Sequence, residues 1–164
     1  MITIRAATEN DLPSLLVIYN DIIANTTAVW HNDPHTLEMR KEWFALKKQL
    51  GHPVFVAEEA GTIVGFSTIG PFRPWPGYRF TVENSIYVAA ESRGKGISKL
   101  LMPPVMEAAR KLGLHAIIAG IESSNKASIS LHGKFGFVEV AHFKEVGFKF
   151  DKWLDLTFME LVLE

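Results

Sequence analysis

A mixed α/β (α+β) fold, a central β-sheet flanked by helices, follows from three features of the sequence. Apolar residues recur at period two in some stretches and near period 3.6 in others, and the two kinds alternate along the chain. A strand, a glycine-rich turn and a helix start succeed one another around Val88–Ser98. No repeat, low-complexity tract or linker interrupts the 164 residues, so a single domain over 1–164 is expected.

The elements read in order as β-α-α-β-β-β-α-β-α-β-β. Ile2–Ala6 alternates apolar and polar, as a half-buried strand does. Thr8 or Asn10 can cap a helix whose apolar set is Leu12, Leu15, Leu16, Tyr19, Ile22 and Ile23, with Pro13 tolerated in its first turn. A second helix is predicted over Thr36–Leu50, with Met39, Trp43, Leu46 and Leu50 on one face and Gly51 ending it. Pro53–Glu58 and Thr62–Ile69 form a hairpin about the turn Glu59–Gly61. Gly70–Gly77 holds three prolines among its residues and reads as a loop. A strand from Tyr78 or Arg79 to Val88 leads through the glycine turn to a helix ending near Leu112. Pro103 and Pro104 fall in its middle, at a cost of about 3 kcal/mol, and predict a kink or break near Leu101–Pro104. A short apolar strand, Leu114–Ala119, a helix, Asn125–Phe135, and strands near Phe137–Glu145 and Trp153–Leu163 complete the chain.

Composition narrows the function. Net charge is −1 with no basic tract, so no nucleic-acid footprint is visible. The N-terminus lacks a basic n-region, and no apolar run nears the roughly 20 residues of a membrane span. A soluble protein is expected. Cysteine is absent, which excludes disulfides, thiolate metal sites and a cysteine nucleophile, and fits the cytoplasm. The histidines show no metal-ligand spacing, so no metal is assigned.

The turn Arg93-Gly94-Lys95-Gly96-Ile97-Ser98 has a chemical use. Amides at a helix N-terminus are unpaired and carry partial positive charge, so they bind phosphate. Gly94 and Gly96 let the main chain approach without side-chain clash, and Arg93 and Lys95 add charge. Alone, such a turn is equally an ordinary strand-to-helix connection; it is neither a Walker loop nor a dinucleotide fingerprint. After a strand, however, it resembles the [QR]-x-x-G-x-[GA] acetyl-CoA pyrophosphate loop of the GCN5-related N-acetyltransferase (GNAT) superfamily, with Ser98 in place of the last small residue. Asn125-x-x-Ser128-x-x-Leu131-His132-x-x-Phe135-Gly136-Phe137 resembles that superfamily's second signature helix, N-x-x-A-x-x-L-Y-x-x-x-G-F. Tyr78–Val88, Ala119–Asn125 and Gly147–Leu156 are similar to its phosphinothricin and methionine sulfoximine acetyltransferase branch.

This resemblance implies a GNAT fold, with strands splayed at the acetyl-CoA site by a bulge in the strand before the turn. It implies acetylation of the α-amino group of a small amino-acid analogue, and a homodimer. Ile86, Tyr87 and Val88 would bond the pantetheine arm as an added strand, and Asn125 would contact the cofactor or cap its helix. Acetyl transfer needs a neutral amine, and an α-amino group titrates near about 8, so a carboxylate must take its proton. Glu83 matches the branch's catalytic glutamate; by position alone it reads as an outward strand residue. His132 stands where many members carry a tyrosine, and serves as acid, base or packing residue. An anionic acceptor calls for cations and amides, and Arg73, Trp75, Pro76, Gly77, Tyr78, Arg79, Thr81 and Lys149 are the candidates, each equally readable as solvated surface. Trp30 either covers the acceptor or packs. A protein N-terminus or polyamine as acceptor, or a non-catalytic acetyl-CoA module, are the competing readings.

Overall fold

The computed structural model describes residues 1–164 and has the predicted element order. The elements are β1 (Ile2–Ala6), α1 (Leu12–Asn25), α2 (Leu37–Leu50), β2 (Val54–Glu59), β3 (Thr62–Pro71), β4 (Thr81–Val88), α3 (Ile97–Lys111), β5 (Ala116–Glu122), α4 (Lys126–Lys134), β6 (Val138–Lys149) and β7 (Lys152–Val162). The seven strands form one sheet in the order β1-β2-β3-β4-β5-β7-β6, antiparallel except for the central β4–β5 pair. On one face, Leu12, Leu15, Ile18 and Ile22 of α1 and Phe44 of α2 pack against Val54, Val56 and Phe66. On the other, Met102, Val105, Met106 and Ala109 of α3 pack against Ile117, Ala119 and Ile121 of β5. No helix is long and apolar enough to cross a membrane.

Three expectations change. The buried stripe of α2 is Arg40, Phe44 and the half-buried Trp43 and Lys47, while Met39, Leu46 and Leu50 are exposed. Two of the inward positions are cations, so hydropathy placed the face wrongly. The helix α3 is not broken: it runs through Pro103 and Pro104 as one helix. Those prolines leave the Lys99 and Leu100 carbonyls without amide donors, but Lys99 and Leu100 are exposed and water can serve them. Leu101, Met102, Val105 and Met106, all buried, hold the helix on the sheet. Finally, β4 carries no bulge toward β3; its register is unbroken from Gly65↔Val88 to Pro71↔Val82. The splay lies wholly on its other side.

Candidate active site

Parallel pairing of β4 with β5 spans only Thr81↔Ala116, Val82↔Ile117 and Glu83↔Ile118. Beyond Glu83, residues 84–88 have no partner strand on that side. The gap opens a cleft of about 1120 Å³ walled by Glu83–Val88, the glycine turn, the end of β5, α4 and the α1–α2 loop. Unpaired strand edges present main-chain donors and acceptors, which an extended ligand can satisfy as an added strand.

At one end of the cleft the turn is built for an anion. Gly94 and Gly96 have φ of 78° and 81°, a left-handed conformation that side chains disfavour. A Cβ at either would meet nothing within 4 Å, so the requirement is conformational and the space above is open. Gly96 is the N-cap of α3 and no side chain caps the first amides, which leaves them for a ligand. Arg93, Ile97 and Ser98 line the same end. The Arg93 Nε donates to the Val88 carbonyl at 3.2 Å, tying the turn to β4. Lys95 lies outside the lining, 3.6 Å from Glu59. These residues fit a pyrophosphate followed by an extended polar arm.

At the other end stands Glu83. It is half-buried, and its Oε1 lies 3.1 Å from where a Cβ at Gly120 would be. Glycine at this position of β5 leaves the carboxylate its place; a Cβ there would press on it and on the Phe158 ring. Burial pushes its pKa above the ordinary value, with the Arg73 charge opposing. His132 is 5% exposed, and alternation along β4 puts it with Asn84 on the opposite face of the sheet from Glu83. Its Nδ1 is 2.8 Å from the Ser128 carbonyl, an acceptor, so Nδ1 carries the proton. Its Nε2 then accepts from the Asn84 amide at 3.0 Å. Burial lowers its pKa, against the Ser128 bond, and so favours the neutral ring.

Three features escaped the sequence reading. Asn84 orients His132, and its Oδ1 is buried without a partner. Glu122, at the end of β5, is buried in the cleft wall and accepts from Thr27 at 3.0 Å, from the Ser124 amide at 3.0 Å and from the Ser124 hydroxyl. Burial pushes its carboxyl up and these bonds outweigh it, leaving it below the ordinary value. Thirdly, the α1–α2 loop, which forms the lip of the cleft, is pinned from β6. The Trp30 indole lies so close on Gly147 that a Cβ there would overlap it.

Lys149 does the pinning, which corrects its assignment as a substrate cation. Lys149 is 3% exposed, and its ammonium donates to the carbonyls of Ile23, Thr26 and Val29 at 2.7, 2.8 and 2.6 Å. All three protons are used. Arg73, Trp75, Pro76, Gly77, Tyr78 and Arg79 lie exposed on the β3–β4 connection, outside the cleft lining. Of these, Arg73 is near enough to act on Glu83. Thr81 is half-buried at the start of β4. Asn125 lines the cleft and also caps α4, its Oδ1 accepting from the Ser128 amide at 3.1 Å. No group of three or more His, Asp or Glu side chains gathers to hold a metal.

Comparison with known proteins places this geometry. Residues 4–158 match the family model described as acetyltransferase (GNAT) domain. An L-methionine sulfoximine/L-methionine sulfone acetyltransferase of Pseudomonas aeruginosa PAO1 is 46% identical over 99% of this chain and 95% of its own. The crystal structure of a phosphinothricin acetyltransferase from Sinorhizobium meliloti in complex with acetyl-CoA superposes with a TM-score of 0.96 at 36% identity, over 99% of this chain and 88% of that one. That of a ribosomal-protein-alanine N-acetyltransferase from Brucella melitensis gives 0.97 at 48% identity, covering 98% and 99%.

Proposed function

The chain belongs to the GNAT acetyltransferase family, and from that footing we propose that it acetylates the α-amino group of a small amino acid or analogue such as methionine sulfone, methionine sulfoximine or phosphinothricin. The observation that carries the reading is the half-buried Glu83 carboxylate over Gly120, at the mouth of the β4–β5 gap.

Acetyl-CoA supplies an acetyl group activated as a thioester. Arg93, Gly94, Gly96, Ile97 and Ser98 would hold its phosphates, with Lys95 a more distant charge. Ile86, Tyr87 and Val88 would hold its arm as an added strand, with Asn125 beside it. Glu83 takes the proton that the acceptor ammonium must lose, and burial, which raises its pKa, makes it a better proton acceptor than an ordinary carboxylate. His132 and Asn84 fix the far side of the gap. Arg73 faces the acceptor carboxylate, with Trp75–Arg79 and Thr81 bordering the entrance. No cysteine exists, which excludes an acetyl-cysteine intermediate, and the reading is direct transfer with both substrates bound at once.

We also propose a homodimer. The β6–β7 hairpin at the sheet edge exposes Val140, Phe143, Val146, Phe148 and Trp153, apolar surface that a second copy would cover. Light scattering after size exclusion tests it; a monomer at tens of micromolar would refute it.

The test of function is acetyl-CoA consumption across free amino acids, sulfones, sulfoximines, phosphinothricin, polyamines and peptides. Turnover of amino-acid analogues is expected. The Brucella relative's name directs attention to a protein N-terminus as the alternative, and activity on peptides alone would overturn the proposal in its favour.

A further inference from the structure

On the α1/α2 face of the sheet a second cavity, of about 480 Å³, adjoins the cleft; Ser85 and Tyr87 of β4 line both. Its floor is the face of β3 and β4 that carries Phe66, Thr68, Ser85 and Tyr87, and its wall is α2. Arg40 and Lys47 point there, seven residues apart and so on one face of the helix.

The charge balance of this cavity is unusual. Arg40 is 3% exposed, its guanidinium 4.2 Å from the Tyr19 ring centre and 4.6 Å from that of Trp43. Its Nε has no hydrogen-bond partner. Its polar side-chain neighbours are neutral groups, His35 Nδ1 at a long 3.5 Å and the Tyr19 hydroxyl. Lys47 is half-buried, donates to the Ile69 carbonyl, and is pushed down to about 8 by burial, with Arg40 adding to the effect. Neither cation has an ion-pair partner. Glu42, exposed, is the one acidic residue in the lining. Buried cations are ordinarily paired, because desolvation is otherwise uncompensated. Two cations facing one cavity with no buried carboxylate opposite them suit a ligand that brings oxygens.

Position identifies which oxygen. Across β3 and β4, Gly70 stands opposite Glu83 and Thr68 opposite Ser85. A Cβ at Gly70 would lie 3.0 Å from the Lys47 Nζ. The Lys47 ammonium therefore sits over the sheet face that Glu83 shares with Ser85. Residues on one face of a strand recur about every 7 Å, and four bonds from an amino nitrogen to a side-chain Sδ or Pδ position span about 5 Å. An acceptor whose amine is at Glu83 thus brings its distal group to the mouth of the second cavity.

We propose that Arg40 and Lys47 are the specificity subsite for the acceptor's distal oxygens, selecting amino acids whose side chain ends in an oxygen-rich or anionic centre over those ending in a thioether or alkyl group. This rests on the reading that the acceptor is an amino acid. The informative pair is methionine sulfone and methionine, equal in length and differing by two oxygens. With the full-length enzyme, kcat/KM is measured for both in wild type, Lys47→Met, Lys47→Arg and Arg40→Lys. The ratio of sulfone to methionine is expected to fall about tenfold or more in Lys47→Met, the weight of a lost charged hydrogen bond, and to hold in Lys47→Arg. In Arg40→Lys, which loses the planar fork, it is expected to fall less. A ratio in Lys47→Met within about twofold of wild type would overturn the subsite; because both substrates meet the same enzyme preparation, partial misfolding cancels. Wild type that acetylates no amino acid would instead overturn the reading of the acceptor itself.

Discussion

Replacing Lys149 by Met removes a charge while keeping an unbranched chain of similar length, and it separates two roles for this residue. The ammonium makes three bonds, to Ile23, Thr26 and Val29. Thr26 is half-exposed, so water can replace that bond, whereas Ile23 and Val29 are buried. Each orphaned buried carbonyl costs about 1–3 kcal/mol. Relief of the ammonium's own desolvation, which lowers its pKa, offsets part of this. A net loss of about 3 kcal/mol follows, or a fall in Tm of about 6–12 °C for a chain of this length. Thermal unfolding by circular dichroism, with acetyl transfer assayed well below the new Tm, measures both consequences. A Tm within about 2 °C of wild type, together with a large rise in acceptor KM, would refute the clamp and restore Lys149 as a substrate cation.

Glu83→Gln should lower kcat by about 10²–10⁴-fold and leave acetyl-CoA binding by calorimetry intact; unchanged turnover removes Glu83 from its role. Because the folded pKa of Glu83 is raised, its contribution to stability is present at acid pH and lost as pH rises through that value. Glu83→Gln should accordingly raise Tm at neutral pH and match wild type below the ordinary carboxylate range, and a lower Tm at neutral pH would contradict this. Gly147→Ala must displace Trp30, with an overpacking cost of about 1–3 kcal/mol and a shift in the Trp30 emission; a crystal structure with the indole unmoved would refute the contact. Long-range ¹⁵N spectra of His132 should show a neutral ring protonated at Nδ1 at pH 7, and an imidazolium there would invalidate the Ser128–His132–Asn84 arrangement.

The glycine turn at one end of the cleft was legible in the sequence because its requirements are main-chain ones, and glycine at 94 and 96 announces them. Glu83 stood out as a lone acid in an apolar strand, although its partner in shape, Gly120, is meaningful only once β5 lies beside β4. Lys149 was misplaced because a lysine in an exposed-looking hairpin gives no local sign of three carbonyls contributed from more than a hundred residues away. The inward face of α2 was missed for a related reason: hydropathy counts Arg40 and Lys47 as outward residues, and they are buried against the rings of Tyr19 on α1 and Trp43 on α2 itself. Pro103 and Pro104 misled in the other direction. Propensity sees the missing amides, but not the exposure of the carbonyls they leave behind. Asn84 was hidden by its ordinary neighbours; only the position of α4 makes it a partner of His132.

The gap between β4 and β5 ties the durability of this protein to its supply of donor. A sheet open at its centre leaves strand edges that only water serves, and acetyl-CoA binds the folded chain alone. At a hundred times its dissociation constant a ligand adds about 2.7 kcal/mol to the free energy of unfolding, of the same order as losing the Lys149 clamp. A cell rich in acetyl-CoA thus maintains more of the enzyme in its native form, and starvation for the donor reduces both the rate of catalysis and the lifetime of the catalyst.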